Sequence, residues 1–302
     1  MKYLNPKADL TFKRVFGEHP DLVMSLLNAL LPLAPGQEIT AIEYLPAEMV
    51  PDNPWKKNSI VDVRCKDKLG RQFIVEMQMI WSPEFKYRVL FNASKAYVRQ
   101  IGNGENYHLL QPVYSLNLVN EIFEPEMKDY YHHYKLVHDK DSDKIIDGLQ
   151  LVFVELPKFT PHTYAEKKMQ VLWLRYLTEI DEHTISVPEE LLSNPEVNKA
   201  VKAIEEAAFS PAQLLGYEKF WDIISTEKTL FYSAEQRGLA SGMKKGMEEG
   251  IKEGIKEGIK EGFKEGFKKG EIKVARNMKS FGMSPESIAQ ITGLSQEDIE
   301  AL

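Results

Sequence analysis

The chain has 302 residues, of which 43% are hydrophobic and 27% are charged, and its net charge is −7. This length allows one large or two modest domains with a sizeable core, and the acidity argues against a histone-like protein that binds nucleic acid through bulk charge. No apolar run reaches the ~18 residues of a membrane span. The single cysteine, Cys65, excludes an internal disulfide, and no signal-peptide pattern opens the chain, so we expect a cytoplasmic protein.

The first predicted element is a helix over residues 7–17. Asp9, Phe12, Lys13 and Phe16 have i, i+3, i+4, i+7 spacing, so we expect them on one face of that helix. The Asp9–Lys13 pair is either a surface salt bridge or part of a functional site, and the spacing alone does not separate the two. The next expected elements are a helix over residues 21–33, a strand within 39–50 and a proline-rich loop through Trp55.

Two short apolar strands, residues 59–66 and 72–79, are joined by a tight turn and form the most informative segment. Lys68-Leu69-Gly70 suits a three-residue loop with glycine in the left-handed position. A loop of that length predicts that position 66 pairs with 72, 64 with 74, 62 with 76 and 60 with 78. Alternation then predicts two faces, one with Ile60, Asp62, Arg64, Ile74, Glu76 and Gln78, the other with Val61, Val63, Cys65, Phe73, Val75, Met77 and Met79.

This register predicts that Asp62 and Glu76 lie directly opposite each other, with Cβ atoms roughly 5 Å apart, where like charges destabilise a sheet. A divalent cation between the carboxylates would remove the repulsion. Mg²⁺ in proteins typically takes one or two carboxylates together with waters and substrate phosphates. The alternative is a solvated polar face that happens to carry two acids.

Downstream of the hairpin, the pattern predicts helices at 83–101, 164–180 and 188–208 and from 211 onward, with buried strands at 111–120 and 149–156. Residues 161–236 hold no recognisable chemical cluster. We therefore expect them to form a helical subdomain with a structural or partner-binding role.

Glycine recurs at every fourth residue from Gly238 to Gly270, nine times in all. Interior glycines destabilise a helix by about 1 kcal/mol each relative to alanine, so an isolated helix of this sequence is marginal. The segment is either a flexible tether or a helix that forms on pairing with a copy of itself, and we favour pairing. The high charge excludes a membrane-spanning role for this repeat.

The C-terminal residues 284–302 have the spacing of a small helix-turn-helix. Ser284 and Ser295 are expected helix caps, and Gly293 closes the first helix. The second helix carries acidic residues and neither lysine nor arginine to meet phosphate. A packing or oligomer cap is therefore favoured over a DNA reader.

The order of these motifs resembles the Rpn-type recombination-promoting nucleases, also labelled transposases, of the PD-(D/E)xK nuclease superfamily. The resemblance spans nearly the whole chain, and its specificity lies in the order of the motifs. The motifs that carry it are Asp9–Gly17, Ile60-Val-Asp-Val63, Ile74-Val-Glu-Met-Gln78, Tyr87-Arg88, Tyr97, Gly104, Tyr107, Gln111-Pro-Val113, Phe153–Phe159 and the glycine-rich tail with its Thr-Gly-Leu-Ser end.

The resemblance implies an α/β (α+β) fold, namely a restriction-endonuclease-like core with a mixed central sheet flanked by helices, then a helical region and a long glycine-rich helical tail. It implies Mg²⁺- or Mn²⁺-dependent hydrolysis of DNA, with Asp62 and Glu76 as metal ligands. Gln78 stands where the superfamily has lysine. Glutamine can orient water but carries no charge, so a cation is expected from elsewhere. The candidates are Lys13, Arg88 and Lys95, and Asp9 is a further supporting residue.

We therefore expect four parts: a nuclease-like domain at 1–160, a helical subdomain at 161–236, a glycine-rich helix or tether at 237–279 and a small cap at 280–302. The leading functional hypothesis is a metal-dependent DNA endonuclease that promotes recombination and forms a homo-oligomer through residues 238–302. The alternative is a weak or inactive interaction protein that self-associates through the glycine-rich helix. Strand transfer, which a true transposase requires, cannot be separated from hydrolysis by sequence.

Overall fold

The computed structural model describes residues 2–49, 59–161 and 168–302. The proline-rich loop expected through Trp55 and the expected helix start at Tyr164 lie outside the described residues. The chain divides into two compact units, Met1–Lys228 and Thr229–Leu302. The predicted division into four parts stays a prediction.

A six-stranded mixed sheet forms the centre of the first unit, in the order β1-β4-β5-β6-β8-β7. Strands β5, β6 and β8 are parallel to one another, whereas β1, β4 and β7 join through antiparallel pairs. The central strand β6 is buried at every residue, as expected for a parallel strand covered on both faces. The bounds are β1 Ile42–Tyr44, β4 Val63–Asp67, β5 Gln72–Gln78, β6 Val113–Val119, β7 Tyr131–His138 and β8 Asp141–Glu155.

The turn of the predicted hairpin is confirmed. Lys66 pairs with Gln72 and Arg64 with Ile74, and Gly70 has φ +84°. A side chain at that φ is strained, which explains the glycine. Asp67 completes the turn by accepting hydrogen bonds from the backbone amides of Leu69 and Arg71.

Beyond the pair Val63–Val75 the predicted register is wrong. The chain bends at Asp62, and the short strand β3 (Ser59–Ile60) leaves β5 to pair with β2 (Glu48–Met49). Ile60 is thus opposite Glu48, and the predicted pairing of positions 60 and 78 does not form. The bend also breaks the alternation of faces. Val61 packs with Ile74, on the face opposite to the one predicted.

Helices cover both faces of the sheet. One face carries α2 (Pro20–Leu30), α4 (Met169–Glu179) and α6 (Pro195–Ala203), whose apolar residues share one core with strands β4, β5 and β6. The other face carries α3 (Pro83–Val98), which packs on Ile74 and Val113 through Ala93 and Ala96.

The N-terminal helix is split. Residues Asp9–Phe12 form α1, and Lys13–Gly17 continue as a π-helical turn, a form often found at functional sites. Phe12 and Phe16 are buried in the core, whereas Asp9 and Lys13 are about half exposed.

The helix predicted over 188–208 is broken into α5 (Glu189–Leu192), α6 and a 3₁₀ turn at Glu206–Ala208. The break has a local cause, because the Asn194 side chain accepts a hydrogen bond from the Val197 amide and Pro195 occupies the first turn of α6. The strand predicted over 149–156 is longer than expected. It begins at Asp141 and forms a hairpin with β7.

Residues Pro211–Ser280 form one helix, α7, which contains the whole glycine repeat. Two short helices, α8 (Pro285–Thr292) and α9 (Gln296–Glu300), follow and pack on α7 through Ala275, Ile288 and Ile299. The expected caps are confirmed, since Ser284 and Ser295 accept backbone hydrogen bonds and Gly293 has φ +74°. Over the described residues, every helix is too short or too polar to cross a bilayer.

Candidate active site

Asp62 lies at the bend between β3 and β4, next to the carboxyl end of β5. Its Oδ2 accepts a hydrogen bond of 2.8 Å from the Met77 backbone amide. Met77 is past the last β4–β5 pair, so the carboxylate takes the place of a missing strand partner. Burial raises the pKa of Asp62, although this hydrogen bond and the charge of Lys13 act in the opposite direction.

Glu76 lies on β5, with only 6% of its surface exposed. Burial, and then the nearby charge of Asp62, raise its pKa to about 7, against the opposing effects of Arg88 and Asn92. Near neutral pH the pair therefore holds negative charge that the surrounding protein only partly compensates.

Gln78 is hydrogen-bonded to Arg88 of α3. The Arg88 guanidinium donates to Gln78 Oε1 and lies 3.7 Å from Glu76 Oε2, and half of its side chain is exposed. The Gln78 amide nitrogen donates in turn to the Ile80 carbonyl oxygen. The structure thus places Glu76, Gln78 and the positively charged Arg88 side chain next to one another.

Asn92 is a site residue that the sequence motifs did not reveal. It is buried on α3, and its Nδ2 donates a hydrogen bond of 3.0 Å to Glu76 Oε1. The feature of the sequence that could have revealed Asn92 is its spacing from Arg88. Asn92 follows Arg88 by four residues, which places the two side chains on neighbouring turns of one helix face.

The other supporting residues are placed differently. Lys13 forms an ion pair of 2.6 Å with Asp9, and both charges act on Asp62, where Lys13 lowers and Asp9 raises the pKa. The pair is therefore both half exposed and close to Asp62. Lys95 instead reaches the Met49 carbonyl oxygen of β2.

The residues present fit a divalent cation. Two acidic side chains of raised pKa lie within electrostatic reach of each other and next to partly exposed Arg88. No group of three or more His, Cys, Asp or Glu side chains suited to a metal occurs in the described part of the chain. A pair of carboxylates is nevertheless the usual protein share of a Mg²⁺ site that also takes waters and substrate phosphates.

Comparison with known families decides the classification of the chain. Residues 6–231 match the model described as PD-(D/E)XK nuclease family transposase. The chain belongs to this family. Residues 268–302 match a second model, the C-terminal helix-turn-helix domain of the Rpn/YhgA-like nuclease family. No curated protein and no solved structure matches the chain.

Both matches agree with the resemblance inferred from the motifs, and the mixed sheet flanked by helices is consistent with the PD-(D/E)XK nuclease-like fold. The first match includes Asp62, Glu76, Gln78 and Arg88, and it also extends through the helices up to the first turns of α7. Nucleases of the PD-(D/E)XK class typically use divalent metals. The second match confirms the helix-turn-helix spacing at the C-terminus.

Proposed function

We propose that this chain is a metal-dependent endonuclease that hydrolyses DNA phosphodiester bonds, and that its breaks promote recombination. The observation that carries the proposal is an electrostatically coupled pair of carboxylates: Glu76, which is buried near the carboxyl end of β5, and Asp62, which is partly buried beside it. These two side chains are the proposed ligands of Mg²⁺ or Mn²⁺. When bound, the cation would polarise the phosphodiester and lower the pKa of coordinated water.

The other side chains have separate proposed roles. Gln78, whose carbonyl oxygen accepts from Arg88, orients the attacking water. Arg88 supplies the positive charge that glutamine lacks and stabilises charge that develops on the phosphate oxygens. Asn92 holds the Glu76 carboxylate in one orientation through its amide. Lys13 favours the ionised form of Asp62 and is a weaker candidate for a phosphate contact.

The test compares plasmid cleavage by the wild-type chain and by the double variant Asp62→Asn/Glu76→Gln, each with Mg²⁺, with Mn²⁺ and with EDTA. The amide oxygen introduced at position 62 can still accept a hydrogen bond from the Met77 amide, so this variant removes charge while keeping that contact. We expect nicking only by the wild-type chain with a divalent cation. Equal nicking by both proteins would refute the proposal, and matched thermal unfolding would exclude a folding defect.

A second proposed property is self-association through residues 238–302. The observation that favours it is an exposed apolar row on α7 beside the glycine row. Near the end of this row, a groove of about 630 Å³ is lined by Phe263, Phe267 and Ile291 together with Gly262, Gly266 and Gly270. A second copy of the helix could place its own apolar row there. This surface also serves the alternative function, an inactive or weak nuclease that acts by interaction.

The helix-turn-helix match favours DNA as a partner of this module. The acidic α9, which has Glu297, Asp298 and Glu300 but no lysine or arginine, is poorly suited to phosphate contacts. We therefore retain a packing or oligomer role for α8 and α9 and propose that any phosphate contacts of the module come from α7. The basic residues there are Lys268, Lys269, Lys273, Arg276 and Lys279.

A further inference from the structure

The outer face of α3 carries aromatic and aliphatic side chains in solvent. Tyr87 is 74% exposed and Phe91 is 44% exposed, and Leu90 and Val98 are exposed on the same helix. Each aromatic ring is large enough to dominate an interface. The Lys95 ammonium lies 5.8 Å from the centroid of the Phe91 ring. Among the described residues, neither Tyr87 nor Phe91 belongs to the apolar clusters that hold α3 on the sheet.

This aromatic pair lies beside the candidate active site. At about 100° per residue, Phe91 is rotated about 60° around the helix from Arg88, and Tyr87 about 40° further in the same direction. The face packed on the sheet, with Val89, Asn92 and Ala96, lies on the other side of Arg88. Phe91, and then Tyr87, therefore lie next to Arg88 on the side of α3 that faces away from the sheet. The Arg88 guanidinium itself contacts Gln78 and Glu76.

The charge around the rings favours an anionic occupant. Within α3, Arg88 and Lys95 stand against one acid, Glu84, and Arg99 follows directly, whereas the third basic residue of the helix, Lys86, is paired with Glu124. This local excess of positive charge contrasts with the net charge of −7 of the whole chain. Basic side chains interleaved with exposed aromatic rings are characteristic of surfaces that bind single-stranded nucleic acid.

A second copy of the chain fits this face less well. A symmetric pairing of two α3 helices would bring the same basic side chains towards each other, which opposes association. The exposed parts of Tyr87, Leu90, Phe91 and Val98 together also provide at most a few hundred Å². This area is below the ~800 Å² per partner of a standard interface.

We propose that Tyr87 and Phe91 bind the unpaired bases of single-stranded DNA while the adjoining phosphate occupies the site of Asp62 and Glu76. This inference rests on the proposed nuclease function and names its substrate as a strand with unstacked bases. Bases in a duplex stack on one another and offer their edges to the grooves, whereas an unpaired base offers a whole ring face.

The test measures binding of a fluorescent 12-nucleotide oligothymidine, and of a duplex of the same length, by fluorescence anisotropy in EDTA. We expect the full-length double variant Tyr87→Ala/Phe91→Ala to bind the single strand about 10- to 100-fold more weakly, because stacked bases are lost. Duplex binding should change less than about 3-fold. The variant Tyr87→Phe/Phe91→Tyr should retain the affinity of the wild-type chain for the single strand.

The matched control is Leu90→Ala/Val98→Ala, which removes exposed apolar area from the same helix without removing a ring. We expect this control to bind oligothymidine within about 3-fold of the wild-type chain. The proposal is overturned by any of three results: no detectable binding of the single strand by the wild-type chain, equal losses for single strand and duplex, or an equal loss in the control.

Cleavage assays with Mg²⁺ separate this inference from the proposed function. If the wild-type chain cuts plasmid and Tyr87→Ala/Phe91→Ala cuts single-stranded circles equally well, the inference fails and the nuclease stands. If ring-dependent binding is found but neither substrate is cut, the nuclease proposal fails. The α3 face would then be a DNA-binding surface without a hydrolytic site.

Discussion

At the scale of single residues, the site places two negatively charged side chains close to a positively charged one. Two carboxylates are held close together and partly buried, and one guanidinium reaches both Glu76 and Gln78. We propose that Arg88 has the electrostatic role that a lysine at position 78 would have. A cation on a neighbouring helix differs from a lysine on the strand itself, because the position of Arg88 depends on the first turns of α3 as well as on β5.

The variant Arg88→Ala tests this role. Removing a charged donor from a site that develops negative charge typically lowers kcat about 100- to 1000-fold, and we expect a loss of that order in plasmid cleavage. Arg88→Lys should restore part of the rate. The control Lys199→Ala removes an exposed lysine that pairs with Asp21 at another part of the first unit, and it should leave cleavage unchanged. A rate of Arg88→Ala equal to that of the wild-type chain would exclude Arg88 as the compensating cation.

Glu76 predicts a pH dependence of stability in the metal-free protein. Its folded pKa is about 7, above the ordinary value of 4.5, so the folded state binds the proton more tightly than the unfolded state does. The resulting stabilisation is complete below about pH 4.5 and is lost as pH rises through 7. Relative to Glu76→Gln, the wild-type chain should therefore lose about 3 kcal/mol between pH 4.5 and pH 8. Urea unfolding in EDTA measures this difference, and a pH-independent difference would contradict it.

At the scale of elements, local chemistry predicted what local residues control. The turn at Gly70 and the caps at Ser284 and Ser295 follow from short-range hydrogen bonds and backbone conformation, and all are present. The bend at Asp62 was not predictable in this way, because it depends on β3 pairing with β2, and nothing in the alternating pattern identifies that partner.

Prediction of the candidate site was limited in the same way, because part of it depends on contacts between distant elements. The proximity of Asp62 and Glu76 followed from the predicted hairpin, although Asp62 approaches β5 from a bend and not through the expected strand pairing. The Arg88–Gln78 contact was one of several options, because choosing among the cations requires the packing of α3 on β5. Asn92 was missed because its spacing from Arg88 indicates a shared helix face but does not identify Glu76 as its hydrogen-bond partner.

The motif Phe153–Phe159 has a structural explanation in a buried ion cluster at the end of β8. The carboxylate of Glu155, fully buried, accepts hydrogen bonds from Lys158, His132 and the Phe123 amide. Burial by itself raises the pKa of Glu155, but these hydrogen bonds outweigh it and lower the pKa below its usual range. The Phe123 ring stacks on Trp81, in the segment that links Gln78 to α3.

We therefore expect Glu155→Gln to destabilise the folded protein by about 3–5 kcal/mol, because it leaves Lys158, whose side chain is only 10% exposed, without its carboxylate partner. The double variant Glu155→Gln/Lys158→Met should recover part of that loss. Since the folded pKa is lowered, the contribution of Glu155 is present above about pH 4.5 and is lost as pH falls below it. Urea unfolding at pH 7 and pH 4 measures both effects, and equal destabilisation at the two pH values would contradict the assignment.

At the scale of the whole molecule, the two units differ in what holds them together. Met1–Lys228 has a continuous apolar core, whereas Thr229–Leu302 has a small cluster around Ala275 and a long exposed helix. A helix with nine interior glycines and an uncovered apolar row is expected to gain stability from a partner. The self-association proposed for this region follows from that deficit.

Two changes to the glycine-rich region test the proposal by light scattering. A chain that ends at Ala234 should have a smaller oligomeric state than the full-length chain. In the full-length chain, Gly254→Leu/Gly258→Leu should raise helix content by circular dichroism, because leucine favours helix and a Cβ added at either position meets no atom within 4 Å outside the local helix backbone. The same substitutions should weaken association by keeping the backbones apart. Unchanged oligomeric states in both proteins would refute self-association through this region.

The four-residue spacing of the glycines also dictates the handedness of such an assembly. A residue four positions on is rotated by about 40°, so the glycine row winds once around the helix in about 36 residues, or about 54 Å. Because the repeat is longer than 3.6 residues per turn, copies that follow the row must coil in the right-handed sense, opposite to a heptad coiled coil. The repeat from Gly238 to Gly270 is 33 residues long, enough for nearly one full turn of that superhelix.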